Sequence, residues 1–527
     1  MSEAAEMDPQ RKTITLELLL AGDGVSGRAR SDGGEAREFS GRLGLMHTID
    51  ELLAVAGTTE EETMNPETLA APVAPAMEIA DLPRLIGGTV LRPNDEGWDA
   101  ARQAFNLAVD QRPALIAEPR SREEVAAVVR FAAANGLRVA PQRTGHNAGP
   151  LGPLEETILL KTNRLDRVVI DAPGRCASVG AGARWEDVVP LASEHGLAAL
   201  HGSTPDVSIA GYTLGGGMGW YARKHGLAAN SVKAIEVVTA DGGIRTASPQ
   251  SEPDLFWALR GGGGNFGVVT ALEFELYPVD AVYAGALFFP FERSEEVLKA
   301  WLAWTATVPD EVTSVGRMLQ FPPFEEVPEP VRGKSFALVE AVFLGGEAEG
   351  AELIAPLRDL GPAMDTFATV PPVGIAELHM DPRDPLPAAS EHSLLGELNE
   401  QAIEELVLAV GPGSGSTLAS VELRHTGGAM ARVGEDHGAV ATLPGSFATF
   451  AVGLAADEMT TAKTEADLSR FAAATRPYEA GHYFNFVERE SEAESFFAPE
   501  TAARLRAVRE TYDPERLLQA NHEIGAR

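Results

Sequence analysis

Three loops in this sequence gather glycine, histidine and small polar residues at spacings that suit cofactor chemistry. The first is Arg143-Thr144-Gly145-His146-Asn147-Ala148-Gly149. The second runs from Gly202-Ser203-Thr204-Pro205-Asp206-Val207 on to Gly211-Tyr212-Thr213-Leu214-Gly215-Gly216-Gly217-Met218-Gly219-Trp220. The third is Trp257-Ala258-Leu259-Arg260-Gly261-Gly262-Gly263-Gly264-Asn265-Phe266-Gly267, leading into Val268. Glycines lack a Cβ, so successive backbone N–H groups can turn into one concavity and let a phosphate or a flat ring approach the chain. A histidine on such a loop can meet a ring edge while neighbouring amides hold a pyrophosphate. Taken singly, each loop is better read as a tight or flexible turn, and a lone histidine as a satisfied structural residue. None places G-x-G-x-x-G between a strand and a helix, which disfavours a nicotinamide dinucleotide fold. No His/Glu cluster has catalytic-metal spacing, and no Gly-x-Ser-x-Gly elbow is present.

Taken together, the loops resemble those of the FAD-linked oxidases of the berberine bridge enzyme-like group, within the vanillyl-alcohol-oxidase type of FAD-binding fold. Arg143 to Asn147 matches the group's pattern of Arg, small residues, His, then Asn or Ser. Gly211 to Trp220, followed by Arg223-Lys224-His225-Gly226-Leu227, matches its glycine-rich loop and basic Gly-Leu stretch. Asp254 to Gly267 matches its third loop almost letter for letter. Glu422-Leu423-Arg424-His425-Thr426-Gly427-Gly428-Ala429 resembles its substrate-domain strand and turn, and Tyr512 to Arg516 with Asn521 to Ile524 its closing motif. The resemblance covers about 83–527 and leaves 1–82 outside.

The resemblance implies FAD, held at Arg143, Thr144, Gly145, His146, Asn147, Thr204, Pro205, Val207, Gly211, Tyr212, Gly215, Gly216, Gly217, Gly219, Trp220, Gly267, Val268 and Asn521. It further implies that His146 is bonded through a ring nitrogen to the flavin 8α carbon. Many relatives carry a second bond from a cysteine just before a proline in the second loop. That position is Thr204 here, so a single link is expected. Valine at 207 is associated in the group with reaction with oxygen, a packing valine being the plain alternative. Asn230 replaces an acidic residue common after the Gly-Leu stretch.

Such an enzyme passes a hydride to flavin N5 and must remove a proton from the same substrate group. The group places a tyrosine on a strand facing the flavin, in a Tyr-x-Asn pattern that His482-Tyr483-Phe484-Asn485-Phe486 matches. Strand alternation would turn Tyr483 and Asn485 into the cleft as the catalytic pair and both Phe rings into the core. A free phenol, with a pKa near ~10, is a weak base, so Arg424, His425 or His379 is expected to supply positive charge or bind substrate. The implied reaction is oxidation of a C–H next to oxygen or nitrogen in a small, hydroxylated or sugar-like molecule, with electrons passing to dioxygen and giving hydrogen peroxide. A flavin dehydrogenase with a non-oxygen acceptor and a non-catalytic flavin-binding scaffold are the alternatives.

The elements that must hold these residues define an α+β chain. Residues 1–56 read as a small β-rich accessory unit, with strands at 13–21 and 36–42, a polar strand between them, and a short helix from Ile49. Residues 57–82, rich in Glu, Thr, Pro and Ala, read as a linker. From 83 to 279 strands and helices alternate, as in an FAD-binding domain to which 480–527 returns. Ser121 caps a helix over 121–135, with acids in its first turn and Gly136 beyond its end. From 280 to 479 longer strands (281–290, 336–344, 417–425, 447–455) alternate with helices, as in an antiparallel substrate-binding sheet covered by helices.

Composition bounds the rest. A chain of 527 residues exceeds what one hydrophobic core supports. Net charge is −34, from 43 Lys plus Arg against 77 Asp plus Glu, which speaks against nucleic acid and anionic membrane as partners. The single cysteine, Cys176, cannot form an internal disulfide and suits a small buried hydrophobe. The N-terminus lacks an apolar signal region, and a cytoplasmic location is expected. The partners expected are a small-molecule substrate and dioxygen, and the accessory unit has no assignable partner.

Overall fold

The structure, a computed structural model, describes residues 14–21, 24–31, 36–40 and 81–525, apart from 324, 326 and 328. The helix expected from Ile49 and most of the 57–82 linker lie outside the described residues. The chain divides into two compact units, Met1–Ala76 and Met77–Arg527. In the first, Ile14–Ala21, Gly24–Ser31 and Arg37–Ser40 form an antiparallel meander, with Ile14 opposite Ser31 and Ala21 opposite Gly24.

The second unit opens with a four-stranded sheet ordered Thr89–Leu91, Leu115–Glu118, Thr157–Lys161, Arg138–Gln142. Leu115–Glu118 and Arg138–Gln142 both run parallel to Thr157–Lys161. Parallel strands need a crossover, and helix Arg122–Ala134 supplies one. The Ser121 hydroxyl accepts from Glu124 N at its start, and Val125, Val128, Val129 and Ala132 bury one face at helical spacing. Gly136, at φ +65, lets the chain leave the helix.

A five-stranded antiparallel sheet follows, ordered Ile244–Ala247, Val232–Val238, Val268–Glu275, Cys176–Gly180, Val168–Asp171. Helix Trp185–Ser193 packs Trp185, Val188 and Val189 into its core. The C-terminal segment returns here: helix Pro499–Tyr512 contributes Leu505 and Val508 to the same core, and Leu518 bridges to Val139 of the four-stranded sheet.

The largest sheet is antiparallel, with the main order Val282–Pro290, Ser335–Phe343, Val312–Gln320, Ser420–His425, Phe447–Leu454. Helices Ser294–Thr305, Glu400–Val410 and Glu458–Thr475 cover one face, where Trp301, Leu406 and Phe471 meet Met318, Val339, Val421 and Leu423. Alternation then turns Arg317, Glu340, Glu422 and Arg424 to the opposite face. Strand Val312–Gln320 and helix Glu400–Val410 were not among the elements expected.

One expectation fails. Residues 482–486 do not form a strand. A short strand, Glu479–Gly481, pairs with Leu394–Leu395, Tyr483 is extended, and Phe484–Phe486 closes a single 3₁₀ turn. Phe486 N donates to Tyr483 O at 2.9 Å, a bond that strand geometry does not allow.

Candidate active site

A cavity of about 1180 Å³ lies between the glycine loops and the charged face of the largest sheet. It exceeds the ~300–1,000 Å³ typical of a small-molecule pocket, leaving room for a dinucleotide and a second molecule.

The glycine-loop wall holds Arg143, Thr144, Gly145, His146, Asn147, Thr204, Val207, Gly211, Tyr212, Gly267 and Asn521. Arg143 is fixed by its Nε donating to Gly182 O at 2.7 Å. Beside it, burial and the Arg143 charge bring Lys161 down to about 8, and its Nζ donates to Gln142 Oε1 at 3.0 Å. His146 stacks on Phe105, and Asn521 Nδ2 donates to Asn147 O. Thr204 Oγ1 donates to Asp381 Oδ2 at 2.5 Å, tying the second loop to the segment that carries His379.

The other expected cofactor residues stand behind this wall. Pro205 O accepts from Glu186 N, Val268 is buried in the five-stranded sheet, and Trp220 is buried with its ring 6.0 Å from that of His379. Gly215, Gly216, Gly217 and Gly219 shape the loop: a Cβ on Gly219 would lie 1.8 Å from His201 O, and one on Gly217 2.6 Å from the Tyr212 ring. Gly211 differs, because a Cβ there would meet nothing within 4 Å. Asn230, whose role the sequence left open, accepts from Gly438 N at 3.0 Å. Cys176 is buried on the five-stranded sheet and does not line the cavity.

The opposite wall is a buried charge network. His379 Nδ1 lies 2.6 Å from Glu340 Oε2, and its Nε2 lies 2.7 Å from Glu422 Oε2. Arg424 Nη2 donates to Glu422 Oε1 at 3.0 Å, and Arg317 stands directly across the ladder from Glu422. Burial and Arg317 oppose charge on His379, but Glu340, Asp381 and Glu422 outweigh them and raise its pKa to about 9. Burial would raise Glu422; Arg424 and His379 instead hold it well below the usual carboxylate range. An imidazolium clamped by two carboxylates is therefore the stable state at neutral pH. Arg424 lies over the Phe486 ring, 5.1 Å from its centroid, and both line the cavity. His425 does not join them. Its Nε2 lies 2.9 Å from Arg223 Nη1, its ring stacks on Phe447, and burial with Arg223 brings its pKa down to about 3.

The 3₁₀ turn keeps the expected catalytic pair in contact but gives its two members different access to the cavity. Asn485 lines the cavity, but Tyr483 is 1% exposed and lies behind the second loop. Its Oη accepts from Gly217 N (2.9 Å), Met218 N (3.0 Å) and Asn485 Nδ2 (3.0 Å). Burial pushes the phenol up to about 12 against these donors. Of the two rings expected in the core, Phe484 is buried, whereas Phe486 is only partly so and faces Arg424.

Sequence reading missed Glu488, Glu422 and Asp206. Glu488 lines the cavity, and burial raises its carboxyl to about 7. Its signal was an acid directly after Phe-Asn-Phe-Val. For Glu422 the signal was a charge within the apolar alternation of Ser-Val-Glu-Leu-Arg.

A polar atom at this cavity fits a bound polar cofactor: Asn147 Oδ1 is enclosed yet has no hydrogen-bond partner, which native interiors rarely leave unexplained. Residues 113–248 match the FAD binding domain family. The chain is 35% identical to (R)-6-hydroxynicotine oxidase of Paenarthrobacter nicotinovorans over 226 residues, 43% of this chain and 46% of that protein. It is 36% identical to glucooligosaccharide oxidase of Sarocladium strictum over 227 residues, 42% of this chain and 45% of that one. Each alignment thus spans under half the length of the relative it matches. Among solved structures, 6-hydroxy-D-nicotine oxidase from Arthrobacter nicotinovorans superposes with a TM-score of 0.73 at 27% identity, covering 86% of this chain and 100% of that one. The berberine bridge enzyme-like protein 1 of Physcomitrella patens shares the fold, with a TM-score of 0.75 at 20% identity over 85% and 99% of the two chains. Residues 113–248 thus match an FAD-binding domain, and the chain shares the fold of 6-hydroxy-D-nicotine oxidase.

Proposed function

We propose that the protein is an FAD-dependent oxidase acting on a C–H next to oxygen or nitrogen of a small, hydroxylated or sugar-like molecule. The observation that carries this reading is the single cavity running from the glycine loops to the Arg424–Glu422–His379 wall, so a substrate on the charged wall faces whatever the loops hold. FAD, once bound, supplies the hydride acceptor and passes electrons to dioxygen, giving hydrogen peroxide. Oxidases among the relatives, acting by name on 6-hydroxynicotine and glucooligosaccharides, support the same class. The flavin is held covalently through His146 alone, because Thr204 offers a hydroxyl where a second link would need a thiol.

Arg424 binds and orients the substrate's polar group. Two side chains compete to receive its proton. Glu488 is favoured, since it reaches the cavity with a carboxyl raised to about 7. Tyr483 has the second claim, because three N–H donors converge on its oxygen and stabilise a phenolate. Asn485 holds Tyr483 and contacts the bound molecules. Among the described residues no helix is long and apolar enough to cross a membrane, and we read the location as cytoplasmic.

Purified protein is expected to be yellow, to keep its colour through acid precipitation, and to consume oxygen with a member of an alcohol, sugar and amine panel. Colourless folded protein overturns the reading. Reduction by substrate with slow re-oxidation in air replaces it with a dehydrogenase.

A further inference from the structure

His146 sits in surroundings that distinguish its two ring nitrogens. The ring is stacked on Phe105, with centroids 3.7 Å apart and planes 23° apart, so packing sets its orientation. Nε2 is enclosed, makes no aligned hydrogen bond, and lies 3.5 Å from Asp206 Oδ2. Asp206 is 7% exposed, and its Oδ1 has no hydrogen-bond partner either. Among the described residues, His146 is the cation-forming side chain paired with it. An enclosed carboxyl oxygen without a hydrogen-bond partner is uncommon, and the imidazole is the ring that its other oxygen faces. With Nε2 turned to Asp206, Nδ1 is the nitrogen left to the cavity that His146 lines.

We propose that Asp206 is the positioning residue for flavin attachment at His146, holding the tautomer protonated on Nε2 and receiving that proton as Nδ1 bonds to the 8α carbon. The proposal rests on the covalent reading above. The bond that forms joins Nδ1 to the 8α carbon. A C–H bond at that carbon breaks, and so does the imidazole N–H. The two electrons and two protons released end on dioxygen, giving hydrogen peroxide. A neutral imidazole is a modest nucleophile, and a carboxylate taking up the departing proton strengthens it, as an adjacent base does for other activated nucleophiles. The same approach bears on which nitrogen attacks, since the group that faces one ring nitrogen sets the state of the other.

The experiment uses full-length wild type, Asp206→Asn, Asp206→Ala, Asp206→Glu and His146→Ala, each incubated in air with saturating FAD. Three quantities are followed: flavin that stays with acid-precipitated protein over time, the mass of the peptide carrying residue 146, and reversible FAD binding with the thermal midpoint. Asp206→Asn keeps the shape of the side chain and can still accept the Nε2 proton in a hydrogen bond, but it cannot take that proton. It is expected to bind FAD reversibly and melt like wild type while attachment slows roughly 100-fold or more. Asp206→Ala should be at least as slow, Asp206→Glu should recover part of the rate, and His146→Ala should show no attachment at residue 146. Attachment at the wild-type rate in Asp206→Asn overturns the proposal and leaves the covalent reading standing. Loss of reversible FAD binding or of the fold in Asp206→Asn also overturns it, by making the residue structural. Wild type that releases all its flavin into acid overturns both.

Discussion

At the scale of the residue, the cavity assigns distinct pH windows to its ionisable groups. Glu488, with its carboxyl raised to about 7, is a carboxylate above that pH and a carboxylic acid below it. As proton acceptor it works in the deprotonated form, so turnover should rise with pH through about 7 and then level. Glu488→Gln should remove that limb and lower kcat roughly 100-fold. Tyr483→Phe should leave the limb in place, because a phenol pushed up to about 12 titrates far above it. An unchanged limb and kcat in the Glu488 variant would remove Glu488 as the proton acceptor. His379 makes a prediction about stability instead. Arg317, Glu340, Asp381, Glu422, Arg424 and Trp220 all face it, and its pKa is raised to about 9 from an ordinary 6.5. A raised pKa contributes stability that is fully present below about 6.5 and is lost as pH rises through about 9. His379→Gln leaves Glu340 and Glu422 without their shared cation and should cost about 3–5 kcal/mol at pH 6.5. Denaturant melts of the two proteins should converge as pH passes 9. A constant gap would mean that the imidazole does not carry the charge.

At the scale of the element, the glycine-rich second loop does two separate jobs. Gly219 permits close packing: an added Cβ would strike the His201 carbonyl, so Gly219→Ala should destabilise the fold by about 1–3 kcal/mol or more. Gly211, on helix Ile209–Leu214, lines the cavity, and an added Cβ meets no protein atom within 4 Å. Gly211→Ala should therefore melt like wild type but bind FAD more weakly. Thermal denaturation with and without added FAD separates the two, and equal behaviour of both variants would contradict the division. Such loops were legible in the sequence because glycine runs, a histidine and flanking apolar strands each leave a local mark. The Tyr483 turn was not legible, because Gly481 at φ +150 and the Phe486-to-Tyr483 bond break an alternation that Tyr-Phe-Asn-Phe suggests. The charged wall was only half legible. Arg424 and His379 stood out as candidates, but their coupling to Glu422 and Glu340 depends on strand register and on a loop 43 residues away from Glu422, which no local pattern encodes.

At the scale of the whole molecule, one length holds two separately packed units. Both walls of the cavity belong to Met77–Arg527, whose core is already closed at its first described helix. In that helix, Leu82–Leu85, Leu82 is fully buried, and Ile86 just beyond it packs into the same cluster as Leu115, Val125 and Leu518. The C-terminal return seals this cluster from the other side, with Gln519 Nε2 donating to Leu151 O at 2.7 Å and Asn265 Nδ2 donating to His522 O at 2.9 Å. Among the described residues, the cluster that makes this closure is built from residue 82 onward, and the accessory unit is expected to be dispensable for flavin binding. A chain beginning at Met77 should fold, hold flavin through acid precipitation to the wild-type extent, and melt within roughly 2–4 °C of the full chain, the shift expected when about 1 kcal/mol or less is lost from a large domain. Removing residues 513–527 should do the opposite. That cut strips Leu517 and Leu518 from the cluster and leaves Arg509 buried without the Asp513 carboxylate and the Leu518 and Ile524 carbonyls that surround it. Flavin content and melting temperature measured on both truncations decide the matter: colour lost on removal of 1–76, or kept on removal of 513–527, would mean that the two ends of the chain have exchanged the roles their packing gives them.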